Sequence, residues 1–107
     1  MNAEILKGHL DMLLLAAIAR APAHGYAIAE TLRAHSGQTF DLPEGTLYPA
    51  LHRLERAGLL SSTWAEQTGR RRRVYKLTTK GRRALATRHG EWAAFAQAVN
   101  AVLGGSR

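Results

Sequence analysis

Leu6, Leu10, Leu13, Leu14, Ala17 and Ile18 recur three and four residues apart, the spacing that places side chains on one side of an α-helix. Met12, Leu15 and Ala16 fill the remaining side, so this first helix is apolar nearly all round and is expected to be covered both by its own core and by a second subunit. Pro22 ends it. A second helix opens at His24-Gly25-Tyr26, turns Ile28, Ala29 and Leu32 inward, and stops in the turn residues Ser36-Gly37-Gln38. Phe40 and Leu42 follow as core plugs. Leu47, Ala50, Leu51 and Leu54 then define a third helix, with Thr46 as its expected N-cap, Pro49 in its first turn and Gly58 as a left-handed C-terminal residue. Its outward face carries Tyr48, Pro49, His52, Arg53 and Arg56.

Leu60, Ser62, Trp64 and Glu66 alternate with Ser61, Thr63 and Ala65, the period of a strand, and Val74 to Leu77 form a second strand. The two make a hairpin whose tip is Thr68-Gly69 and the run Arg70 to Arg73. Thr78 caps a last helix that continues to about Leu103, where Gly104-Gly105 dissolves it. The pattern predicts a mainly α fold with a small β-hairpin: a winged helix-turn-helix over residues 1–78, with a C-terminal dimerisation helix and short tail over 79–107. Leu85, Trp92 and Val99 fall seven apart on that last helix, as do Phe95 and Val102, which sketches a helix–helix seam. No other helix in the chain is long enough to cover it, so a second copy is expected to. The first helix, with Leu14, is expected to join the same interface.

Charge sharpens this picture through its placement. The 107 residues carry a net charge of +7. From Met1 to Pro43, Lys7, Arg20 and Arg33 are outweighed by Glu4, Asp11, Glu30 and Asp41, and over Glu44 to Gly58 the signs cancel. The excess lies between Leu59 and Arg83, where Arg70 to Arg73, Lys76, Lys80, Arg82 and Arg83 face only Glu66. Such a patch favours a polyanion, because each phosphate neutralised releases condensed counterions.

Other chemistries are poorly supported. Without cysteine there is neither a disulfide framework nor a thiolate metal site, and the five histidines include no pair at the i, i+4 spacing of a helical metal site. No Gly-rich phosphate loop appears, Ser61 and Ser62 lie on a strand without an identifiable base, and the carboxylates form no obvious pair, so no enzyme and no cofactor are expected. The longest apolar run, Met12 to Ala19, is short of the roughly 20 residues that span a bilayer. Acidic Glu4 and Asp11 stand where a signal peptide would be basic, so a soluble, cytoplasmic protein is expected.

Double-stranded DNA is the expected partner. The beginning and outer face of the third helix, with Thr46, Tyr48, Pro49, His52 and Arg53, form the part that meets base edges in helix-turn-helix docking. Arg53 can take guanine O6 and N7 bidentately, while Thr46 and Tyr48 suit phosphates. Tyr48 also suits a half-buried place against the second helix, and His52 a solvated one. At the hairpin, adjacent strand residues point to opposite faces, so Arg70, Arg71, Arg72 and Arg73 cannot all enter one groove. Arg71 and Arg72 are the favoured contacts, with Arg70 and Arg73 supplying field. The alternative is a winged-helix module for protein interaction or for nucleic acid without sequence preference. A protein-binding wing would need an apolar or acidic face in place of a basic one.

His24-Gly25-Tyr26, the block Gly45-Thr46-Leu47-Tyr48-Pro49-Ala50-Leu51-His52-Arg53-Leu54-Glu55, Gly58-Leu59, the run Gly69 to Arg73 with Tyr75, and Leu77-Thr78 with Gly81 together resemble the PadR family of bacterial transcriptional regulators. The resemblance runs from about Leu10 to Leu85. It implies a homodimeric winged-helix repressor that reads an inverted-repeat operator and releases it on binding a small molecule or changing its dimer geometry. The chain is similar to the compact subfamily with a single C-terminal helix. The resemblance places Tyr26 near the DNA backbone, although a core tyrosine with one polar end would also suit that position. It places Trp92 where some members line a hydrophobic cavity at the dimer interface, in which paired indoles stack on a planar aromatic ligand. Leu14, Leu85, Phe95 and Val99 are the expected neighbours of Trp92 in that interface. The wing departs from the family pattern in having the single Gly69 in place of a glycine pair, and Val74 in place of an aromatic.

Overall fold

In the computed structural model, which describes residues 3–67 and 69–104, helix α1 (Ala3–Arg20) runs through the middle of the packing. It touches α2 (Gly25–His35), α3 (Glu44–Arg56), the third strand and the last helix. This explains its nearly uniform apolarity: Leu10, Leu14, Leu15, Ala17 and Ile18 are buried by different neighbours within the same chain. The expectation that Leu14 reaches a dimer interface or a ligand is therefore corrected. Its side chain is 0% exposed in the chain's own core, and no partner can touch it.

Three strands form an antiparallel sheet in the order β1–β3–β2, with β1 at Ala23–His24, β2 at Leu60–Gln67 and β3 at Arg70–Leu77. The two-residue β1 escapes a period-two reading because it has no period to show. It pairs Ala23 with Tyr75 and His24 with Val74. The hairpin is longer than expected: the arginine run lies inside β3, Arg70 opposite Gln67 and Arg73 opposite Trp64, and Gly69 takes the turn at φ +76°. Four consecutive arginines have no apolar alternation to betray a strand, yet the backbone ladder and the long stems accommodate them. Thr68 and Gly105, expected in a turn and at a helix end, lie outside the described residues.

Helix α3 also begins earlier than expected. Pro43, extended at ψ 157°, is the N-cap, and its carbonyl accepts from Thr46 N at 2.9 Å and Leu47 N at 3.0 Å. Thr46 is thus in the first turn, and Pro49 is inside the helix, where its missing N–H leaves the Gly45 carbonyl without its usual partner. Gly45 is exposed, so water can satisfy that oxygen. The other end matches the reading: Gly58 at φ +83° closes a Schellman motif, with Gly58 N donating to Glu55 O and Leu59 N to Leu54 O.

Helix α4 (Thr79–Val102) is capped by Thr78, whose hydroxyl accepts from Gly81 N at 3.0 Å and donates to Gly58 O at 2.6 Å. Its first turns sit on the end of α3, and Ala84 and Leu85 pack partly buried against the core. Beyond them its apolar side chains are bare: Phe95 is 60% exposed and Val102 86%.

Candidate nucleic-acid interface

The residues expected to meet DNA divide into three groups around α3. Opposite the buried stripe of Leu47, Ala50, Leu51 and Leu54 stand Pro49, His52 and Arg56, all exposed and spaced three and four residues apart. Arg56 belongs to this central face, and it shares a shallow depression with Pro49 and Arg53. Its helical spacing puts it on the outer face, at the C-terminal end and away from the leading turns that hold Thr46 and Tyr48.

On the wing side, Tyr26, Tyr48 and Arg70 to Arg73 line one groove of about 510 Å³ between the starts of α2 and α3 and the hairpin. Tyr26 is 63% exposed, so it is not a core tyrosine. Tyr48 is half-buried and packs against the core, its ring over Gly25, where an added Cβ would come within 2.6 Å of it. Glycine at 25 is what lets α3 lie this close to α2.

On the other flank, Thr46 and Arg53 look toward α1, sharing a hollow of about 480 Å³ with Lys7 and Leu10. Arg53 Nη2 donates to Asp11 Oδ1 at 2.5 Å, and Arg88 Nη1 reaches the other carboxylate oxygen at 3.4 Å. The expected base reader is thus already engaged, by a residue 42 positions away that no local pattern announces.

The sheet pleat sorts the arginines as their register requires. Arg71 and Arg73 share a face with Trp64, their guanidinium carbons 4.9 and 5.2 Å from its ring centroid, within cation–π range. Arg73 is tied further into the body: its Nε donates to Ser62 Oγ at 2.8 Å, and that hydroxyl donates to Glu55 of α3 at 2.6 Å. Arg72 emerges on the opposite face beside His24, with Nη1 3.3 Å from the imidazole nitrogens. His24 Nδ1 accepts from Ala27 N and caps α2, which assigns the ring proton to Nε2 in the neutral form. Burial, and secondarily the Arg72 charge, hold the His24 pKa below its ordinary value. Among the described residues, Arg56, Arg70, Arg71 and Arg72 form no ion pair. Their positive charge is free for a polyanion.

The residues expected around an effector are only partly together. Trp92 meets the His9 ring edge-on at 5.1 Å and Phe95 at 6.1 Å, beside an open hollow of about 370 Å³ that also includes Asp11, Arg53 and Arg88. Leu85 packs toward the core and Val99 lies further along α4, and neither lines that hollow. Among the described residues no histidine or carboxylate cluster suits a metal, and no helix is long and apolar enough to cross a membrane.

A model of the transcriptional regulator PadR-like family matches residues 14–87. A transcriptional regulator of Mycobacterium tuberculosis, Rv3488, is 47% identical over 62 residues, covering 58% of this chain and 55% of that protein. Among solved structures, a PadR family transcriptional regulator from Eggerthella lenta is 35% identical with a TM-score of 0.81, covering 94% of this chain and 86% of that one. A PadR-like transcriptional regulator from Bacillus cereus is 28% identical with a TM-score of 0.84, covering 97% of this chain and all of that one.

Proposed function

Because the chain belongs to the PadR-like family of transcriptional regulators, we propose that it is a homodimeric, sequence-specific repressor acting on an inverted-repeat operator in the cytoplasm. The observation that carries this is the exposed face of α3 set beside a hairpin whose Arg70, Arg71 and Arg72 form no ion pair among the described residues. In this reading His52, Arg53 and Arg56 read base edges, with Thr46 and Pro49 against the groove wall. Tyr26, Tyr48 and the wing arginines hold phosphates. Phosphate contacts position while base contacts specify, so sequence preference falls to α3.

Dimerisation accounts for the bare stripe of α4. Trp92, Phe95, Val99 and Val102 at helical spacing make a seam that water would otherwise wet, and a second α4 covers it. The hollow at Trp92 then lies beside the seam, and a planar hydrophobic ligand stacked there alters the spacing of two recognition helices that must sit about one DNA turn, roughly 34 Å, apart or a multiple of it.

Selection of bound duplexes from a random pool tests the reading. The expected product is an inverted repeat with half-sites separated by a whole number of turns. Recovery of unenriched sequence would overturn it in favour of binding without sequence preference.

A further inference from the structure

Asp11 stands between two guanidiniums that belong to different parts of the molecule. Arg53 comes from the recognition helix, and Arg88 comes from α4, one turn before Trp92. The nearer contact is to Arg53 at 2.5 Å and the further to Arg88 at 3.4 Å, and the carboxylate remains partly open to solvent. Among the described residues, the other arginines of α3 and the hairpin carry no such counter-charge, apart from Arg73 at 3.9 Å from Glu55.

We propose that Asp11 sets the specificity of DNA reading by holding Arg53 against α1 until a base edge takes it. This rests on the reading of Arg53 as a base reader. An ion pair with both partners partly exposed is weak, so it can be exchanged in every binding event. A guanine edge replaces the pair with two directed hydrogen bonds. A phosphate near Arg53 makes a poorer exchange, because it must approach the Asp11 carboxylate and meets its repulsion. Asp11 therefore penalises non-specific engagement more than specific engagement. Arg88 divides the carboxylate's attention: without it Asp11 belongs wholly to Arg53, and the hold tightens. Movement of α4 carries Arg88 with it and changes the share, which links the seam helix to the base-reading residue.

The test measures affinity by fluorescence polarisation on the duplex recovered by selection and on its scrambled counterpart, for the wild type, Asp11→Asn, Arg88→Gln, Arg53→Gln and Asp11→Asn combined with Arg53→Gln. Asp11→Asn is expected to raise affinity for scrambled DNA about two- to fivefold, the scale of one exposed ion pair, and for the selected duplex less. Arg88→Gln is expected to weaken binding to the selected duplex. In the Arg53→Gln background the Asp11 substitution should change little. If its effect persists there undiminished, Asp11 is a general repulsive charge and the proposal is overturned. If Arg53→Gln alone leaves discrimination intact, the base-reader assignment itself fails. If Arg53→Gln lowers discrimination while Asp11→Asn leaves it unchanged, only the role of Asp11 fails. Thermal melts of each variant confirm that the comparison is made among folded proteins, and Arg88→Gln tests the same link from the other partner.

Discussion

At the scale of single residues, close approach explains positions that composition alone leaves mute. A Cβ on Gly81 would stand 2.1 Å from the Leu59 carbonyl oxygen, a backbone atom that cannot move aside, because the same oxygen accepts from Thr78 N. Gly81→Ala should therefore cost about 2–3 kcal/mol and lower Tm by roughly 10 °C, which a thermal melt followed by circular dichroism would show. An unchanged melt would mean that α4 does not dock on the end of α3 this way. His24 makes a pH prediction. Its neutral ring caps α2, and burial and Arg72 lower its pKa, so the unfolded chain binds this proton more readily than the native one. The stability it contributes is whole above about pH 6.5, drains away as pH falls below that, and levels off once the native ring is protonated too. His24→Asn retains a capping side chain that does not titrate. Its Tm should fall less than that of the wild type between pH 7 and pH 5, and parallel curves would contradict the assignment.

At the scale of elements, what the chain discloses depends on whether an element announces itself by period. Helix α3 does, through Leu47, Ala50, Leu51 and Leu54, and Gly58 fixes its end. Its start was hidden because Pro43 caps with its backbone rather than with a side chain. The wing was half legible. Leu60 to Glu66 alternate as a strand should, but Arg70 to Arg73 read only as the hairpin's tip, because four equal side chains do not say which face meets Trp64, as Arg71 and Arg73 do, and which meets His24, as Arg72 does. The candidate site is legible in residue types, and less so in partnerships. Tyr48 over Gly25, Arg73 tied through Ser62 to Glu55, and Arg53 held by Asp11 all depend on contacts between elements distant in sequence. These contacts make the wing and α3 one surface, since Glu55 of α3 receives the hydroxyl that Arg73 of β3 holds. Ser62→Ala should leave the fold intact, with a loss of about 1 kcal/mol for the missing hydrogen bonds. It should loosen DNA binding through a less fixed wing, and unchanged affinity on the selected duplex would show that the tie does not position the wing.

Across the whole molecule, α1 and α4 divide the apolar surface in a way the sequence suggested only in part. Both helices are expected at an interface; α1 spends its leucines on its own core and leaves Ile5 exposed, while α4 leaves Trp92, Phe95, Val99 and Val102 bare. The proposed dimer therefore rests chiefly on α4, and deletion of everything after Arg83 should leave a monomer by light scattering at micromolar concentration. A dimer persisting after that deletion would move the interface elsewhere. Two copies joined in this way would present two α3 faces of near-neutral charge, each beside a strongly basic wing. In the proposed division of labour the wing supplies attraction and α3 supplies choice. The salt dependence of binding to the selected and scrambled duplexes, measured for wild type, Arg71→Ala and Arg53→Ala, tests it most directly. Arg71→Ala should weaken both complexes alike and flatten the slope of log affinity against log salt by about 1 for each phosphate no longer neutralised. Arg53→Ala should remove about 1–3 kcal/mol of discrimination between the duplexes. If both variants were weakened only by the same sequence-independent amount, or if the wild type bound the two duplexes equally at physiological salt, the division of labour between wing and helix would be wrong.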